Sequence, residues 1–270
     1  MTATTVDRSW RSPRAWLVPV LALLVGAVLV ATGANERAFL WLNRLGSQTS
    51  DAFWASLTMI GDGTMALALC LVLARRRPDL LRAVVPGALL STAWSRACKM
   101  LLDIPRPPAV LAADAIHIVG PAHHFHSFPS GHATTAFALA ALCVLGFRLK
   151  AWSVVPVALA ALVGISRCVV GVHWPLDVVG GAFGGWLAAV LGFNVAAHLQ
   201  FGFRPAAQWV IAAAFAGCAA VLIAGYPSDY PQARWFQRAI GVACLAAFAA
   251  TFVRDAAAVR QRDGRIRPPP

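Results

Sequence analysis

Three short segments of this 270-residue chain bring together the residue types that phosphoryl chemistry needs. Lys99 lies seven positions before Arg106-Pro107, Pro129-Ser130-Gly131-His132 comes next, and Ser166-Arg167 is followed by His173 and Asp177. Lys99, Arg106 and Arg167 are fixed cations that can neutralise nonbridging phosphate oxygens, the two arginines as planar forks. Ser130 and Gly131 open a helix, so a hydroxyl and backbone N–H groups can face the same anion, and glycine permits close approach. Asp177, four residues after His173, shares a helical face with it if the turn is already helical; the carboxylate would then fix the imidazole tautomer. The chemistry that fits is in-line attack by His173 on phosphorus, with His132 protonating the leaving oxygen. Water would then hydrolyse the phosphohistidine with His132 as base. The arrangement requires no metal and no cofactor. Ser166, Pro107 and Pro129 are expected to support the pocket.

Each of these residues has a plainer role when taken alone. His132 could be an ordinary helix-start residue, and His173 beside Trp174 an interface anchor. Lys99 could snorkel from a helix end, and Arg106 could be a solvated loop charge. The order, spacing and common side of the chain outweigh these readings.

The elements that must position these groups are apolar. Hydrophobic residues make up 59% of the chain and charged residues 13%, against about 25% charged in a soluble domain. Apolar runs of spanning length occupy residues 16–34, 52–74, 80–102, 133–147, 152–170, 176–195, 206–224 and 239–253. Their alanine and leucine content favours helix, and the first run reads as an uncleaved helix, not a signal peptide. The expected fold is all-α and membrane-integral, with a catalytic core over residues 1–200, a C-terminal transmembrane hairpin over 201–255 and a cytoplasmic tail over 256–270.

The net charge of +12 would suit nucleic acid in a soluble protein, but here the basic residues cluster between apolar runs. Arg8, Arg11, Arg14, Arg75-Arg76-Arg77 with Arg82, Arg148 with Lys150, Arg204 and the tail from Arg254 to Arg267 fall on one side. The positive-inside rule makes that side cytoplasmic, with both termini there. The loops 35–51, 103–128, 171–175 and 225–235 then face outward, carrying all three segments. Nucleic acid is excluded as a partner. A transporter is disfavoured by the scarcity of polar groups in the fifth to eighth runs.

The motifs resemble those of the type 2 phosphatidic acid phosphatase superfamily, whose pattern is K-x6-R-P, then P-S-G-H, then S-R-x5-H-x3-D. Every position is filled here. The resemblance implies His173 as nucleophile, His132 as acid and base, Asp177 as its orienting partner, and Lys99, Arg106, Ser130, Gly131 and Arg167 as the phosphate pocket. It also implies a six-helix bundle from about residue 16 to 195, and says little of the last two runs. A bacterial cytoplasmic-membrane enzyme is implied, with a membrane lipid phosphate as its substrate. Undecaprenyl pyrophosphate is favoured, with lipid A or phosphatidylglycerophosphate and phosphatidate as alternatives, and phosphotransfer to another acceptor as a variant.

Several residues lie outside the motifs. Asp62, between Gly61 and Gly63 inside the second run, is expected to pair with Arg96 or Lys99; a helix break is the alternative. His123, His124 and His126 lack metal-site spacing and read as loop residues near a headgroup or solvent. The six cysteines read as small buried hydrophobes, although a Cys98–Cys168 bridge is conceivable.

Overall fold

A computed structural model describes residues 13–198 and 205–266; Arg8, Arg11, Arg204 and Arg267 lie outside the described residues. The described chain is helical and contains no strand. α1 (Arg14–Thr32) is followed by α2 (Asn35–Ser47), α3 (Asp51–Met59), α4 (Gly63–Cys70) and α5 (Leu73–Arg76). Then come α6 (Pro78–Leu102), α7 (Pro107–Val110), α8 (Gly131–Gly146), α9 (Val154–Val169), α10 (Pro175–His198), α11 (Pro205–Ala224) and α12 (Arg234–Ile266).

Every apolar run of the sequence forms helix, but not always one straight span. Among the described residues four stretches are long and apolar enough to cross a bilayer, Ala151–Val169 (α9 with the turn before it), α10, Ala206–Ala224 in α11 and Pro231–Phe252 into α12, and the number is six if each of two bent pairs, α1–α2 and α3–α4, is one span. α6 has the length but carries Asp79, Arg82, Arg96 and Lys99. α8 is 16 residues long because it begins within the site, at Ser130. Leu17, Leu23, Leu24 and Val28 of α1 face away from the bundle and are each more than half exposed. Such a continuous apolar face suits lipid, and the chain is a multi-pass membrane protein.

α10 is the axis of the bundle and packs against α6, α8 and α1. Small residues permit this. A Cβ at Gly185 would come within 2.0 Å of the Thr134 carbonyl oxygen on α8, and one at Gly184 within 1.9 Å of the Trp94 indole nitrogen on α6. The backbones therefore approach closely and hold the starts of α8 and α10 side by side. Ser130 N–H donates to the Asp177 carbonyl at 3.0 Å, which ties two of the three motifs directly.

Two expectations are corrected. Residues 35–51 are largely helix, not loop. α2 turns 107° from α1 and is amphipathic, burying Phe39, Asn43 and Gly46 on one stripe. Its Asn43 amide donates to the carbonyls of His117 and Val169 at 2.7 and 3.0 Å, pinning the end of α9. The second run is broken at Gly61-Asp62-Gly63 with a 60° bend. Asp62 caps α4, accepting from Thr64 and Met65 N–H at 2.8 and 3.1 Å, and its other oxygen accepts from Tyr226 OH at 3.2 Å. The expected Asp62 pairing with Arg96 or Lys99 does not form, because the exposed N–H groups of the new helix start take the carboxylate.

α11 and α12 form an antiparallel pair packed on α4, and the turn between them reaches α3. The six cysteines are free, Cys98 and Cys168 among them.

Candidate active site

The three motifs meet at one end of the bundle. The long 103–128 loop doubles back on itself: Arg106 N–H donates to His124 O at 2.9 Å, and Ser127 N–H to Ile104 O at 2.8 Å. Trp174 Nε1 donates to Pro105 O at 2.9 Å. These bonds bring the first motif against the second and third. Pro107 is buried at the start of α7, and Pro129 follows a cis peptide bond.

His173 and Asp177 are both 2% exposed. Asp177 Oδ2 lies 3.1 Å from His173 Nδ1 and accepts from Trp174 N–H at 2.8 Å, and the Ser127 hydroxyl donates to the same oxygen. The bond to Trp174 is one half of a capping box at the start of α10. Trp174 N–H and the Ser127 hydroxyl both donate to this oxygen, and the His173 tautomer with its proton on Nδ1 completes the set as a third donor and presents the Nε2 lone pair outward. Arg106 Nη1 sits 3.3 Å from that Nε2.

Burial first, then the charges of Arg106, Arg167 and Lys99, with His132 also contributing, hold the His173 imidazole well below the ordinary histidine range. It is therefore the neutral base at neutral pH. Burial, followed by the charge of Arg167, lowers Arg106 to about 10.

Backbone carbonyls and hydroxyls hold the cations. Arg106 donates from Nε to Phe125 O at 2.9 Å and from Nη1 to Val172 O at 3.2 Å. The Lys99 ammonium donates to His126 O. Arg167, 3% exposed, donates from Nη1 to Thr58 Oγ1 at 2.8 Å and to Tyr230 OH at 2.6 Å, while its buried Nε has no partner among the described residues. Among the described residues, none of the three forms an ion pair with a carboxylate. An uncompensated cation cluster at this depth is costly unless an anion completes it.

Ser130 is fully buried as the N-cap of α8, where its hydroxyl oxygen accepts from Ala133 N–H. Gly131 and His132 follow in the first turn. His132 and Lys99 line a cavity of about 470 Å³ that runs between α4, α6 and α8. Its walls are mostly apolar, including Leu67, Val84, Leu139 and Leu142, and Arg96 lines it near Lys99. Ser166 does not reach the pocket, since its hydroxyl donates to Val163 O at 2.6 Å within α9. His123 pairs with Asp229 at 2.9 Å and His126 with Asp103 at 3.0 Å, so two of the three loop histidines serve loop structure.

Sequence reasoning missed Ser127, Thr58 and Tyr230. Thr58 carried a weak signal as a hydroxyl within an apolar run. Tyr230 carried a stronger one, for the chain has only two tyrosines and both fall in the turn between α11 and α12. Nothing in the position of Ser127 marked it apart from its place beside Phe128-Pro129.

The family model described as the PAP2 superfamily matches residues 80–201. The chain is 35% identical over 173 residues to a decaprenylphosphoryl-5-phosphoribose phosphatase of Mycolicibacterium smegmatis, covering 63% of this chain and 82% of that protein. It is 46% identical over 65 residues to a lipid A 1-phosphatase of Rhizobium etli, covering 24% of this chain and 27% of that one. The chain thus spans about a quarter of the length of that relative. The crystal structure of Aquifex aeolicus LpxE aligns with a TM-score of 0.53 at 27% identity, over 59% of this chain and 94% of that one.

Proposed function

We infer the reaction of this chain from one premise: it belongs to the PAP2 superfamily. The chain is a membrane lipid phosphatase that removes a terminal phosphate through a phosphohistidine. The observation that carries this reading is a neutral, carboxylate-oriented His173 surrounded by three cations without carboxylate partners.

The arriving phosphoryl group takes Arg106 from His173 Nε2, which frees the lone pair for attack. The Nε2–P bond forms as the P–O bond to the leaving group breaks, and His132, protonated once the phosphate's negative charge offsets the surrounding cations, gives its proton to the departing oxygen. Lys99, Arg106 and Arg167 hold the equatorial oxygens, and the first N–H groups of α8, whose N-terminus the buried Ser130 caps, face the same anion. Asp177 stabilises the imidazolium character that develops on His173. Water then attacks phosphorus, His132 accepts its proton, and the P–N bond breaks to release phosphate and neutral His173.

The apolar cavity beneath Lys99 and His132 favours a lipid substrate, with its tail between α4, α6 and α8 and its headgroup at His173. The preferred substrate is a polyprenyl-linked phosphate, undecaprenyl pyrophosphate first. The support is the relative of which this chain covers 82%, whose name specifies a decaprenylphosphoryl substrate. Removal of phosphate from lipid A is the second reading, favoured by the likeness to the Rhizobium etli relative. The site faces the periplasm or exterior of a bacterial cytoplasmic membrane, as the distribution of basic residues favours.

The test is a phosphate-release panel with purified protein across undecaprenyl pyrophosphate, lipid A, phosphatidylglycerophosphate and phosphatidate, with and without chelator. Chelator-insensitive release that is greatest from the polyprenyl substrate and lost in His173→Ala supports the reading. Release by His173→Ala at the wild-type rate contradicts it.

A further inference from the structure

The grip on Arg167 comes partly from outside the motifs. Its Nη1 is held by Thr58 of α3 and by Tyr230 of the turn between α11 and α12. The match to the PAP2 superfamily ends at residue 201, so Tyr230 belongs to the C-terminal hairpin and not to the motif core. Yet Tyr230 is 2% exposed, its ring lies 5.6 Å from the Arg167 guanidinium carbon, and its hydroxyl makes the shorter of the two bonds.

A buried polar chain stands behind this contact. Gln237 of α12, 1% exposed, donates to Ser228 Oγ at 2.6 Å. Ser228 Oγ accepts from Tyr230 N–H and donates to Tyr230 O, both at 3.3 Å. The turn is anchored to the core at two further points, Asp229 to His123 and Tyr226 to Asp62. A Cβ at Gly120 would come within 2.6 Å of Asp229 O, so the 103–128 loop packs directly on the same turn.

We propose that Tyr230 is a positioning residue of the phosphoryl site, through which the C-terminal hairpin completes the phosphate pocket. With Nη1 held by two hydroxyls, the plane of the guanidinium is fixed, and its buried Nε, without a partner among the described residues, is the donor left over for a ligand. A planar fork recognises phosphate by orientation as well as charge. Removing the tyrosine hydroxyl leaves the charge but releases the plane. The job of the last two helices is therefore to aim Arg167. This rests on the phosphatase reading above, but its test does not need turnover.

The test is equilibrium binding of inorganic phosphate to the full chain in detergent micelles. Tyr230→Phe should weaken binding about tenfold, by loss of a hydrogen bond to a charged group, and raise KM more than it lowers kcat on the best lipid of the panel. In an Arg167→Lys background, which has no planar fork to aim, Tyr230→Phe should change binding no further. Wild-type phosphate affinity in Tyr230→Phe overturns the proposal, as does an equal loss in both backgrounds, which marks a merely structural role. If Tyr230→Phe does not accumulate folded, Ser228→Ala takes its place with a loss of about threefold expected, and unchanged affinity again overturns it. No phosphate binding by the wild-type chain also overturns it. Phosphate binding with no lipid hydrolysis leaves Tyr230 in its role and refutes the phosphatase reading alone.

Discussion

The two ends of the bundle use the same residue types for different ends. Away from the site, Arg77 makes a two-pronged pair with Asp79 at 2.9 and 2.7 Å and donates to Gly146 O, while Arg75 lies 4.2 Å from the centre of the Phe252 ring. Carboxylate and aromatic face satisfy these cations within the protein. At the site end, Lys99, Arg106 and Arg167 meet, among the described residues, only carbonyls, hydroxyls and an imidazole. The one buried carboxylate there, Asp177, serves His173, Ser127 and Trp174. A basic residue that sets topology can carry its counterion with it. One that binds a substrate anion must be oriented by neutral groups, or the counterion would compete with the ligand.

Substitutions can break or sharpen that contrast. The largest effect is expected from His173→Ala, with turnover falling about 10⁴-fold or more in a phosphate-release assay. Arg167→Ala should lower kcat/KM about 10²–10³-fold, as loss of one oriented donor to a charged transition state does. His132→Ala should slow turnover about 10²-fold, and a leaving group that needs no proton should recover part of the loss.

Acidity offers a milder probe. The folded-state proton affinity of His173 is depressed, so the unfolded chain takes up a proton first as pH falls through about 6.5. The contribution of His173 to stability is thus full above that pH and declines below it. The thermal midpoint in detergent should drop between pH 7 and 5.5, and less steeply in His173→Ala. Arg77→Ala, at the other end, should leave kcat/KM at the wild-type value and cost about 0.5 kcal/mol of stability, the scale of a partly exposed pair. A large loss of turnover in Arg77→Ala would erase the distinction between the ends.

The local geometry of the motif residues was legible because it is set within short stretches of sequence. The spacing of His173 and Asp177 and the N-cap at Ser130 are fixed by one helical turn each, and both appear as expected. Apolar runs likewise named the helices, since lipid demands that every backbone group bond within its own segment. What the sequence did not reveal is set by contacts between distant segments. The bend at Asp62 follows from glycines on both sides and a cap that outcompetes a charge partner, and its local pattern was equally consistent with a buried pair. α2 was hidden by a polar face that resembles a loop. Tyr230 was hidden because 63 residues of chain separate it from Arg167, and no local rule joins a turn to a motif at that distance.

The central claim is that His173 takes the phosphoryl group within this single cation cluster. Rapid quenching of the protein with lipid substrate carrying labelled terminal phosphate tests it most directly. The account predicts label on the chain that survives base, is lost in acid, maps to His173 and is absent from His173→Ala. Turnover without labelled protein, or label retained in His173→Ala, would contradict it.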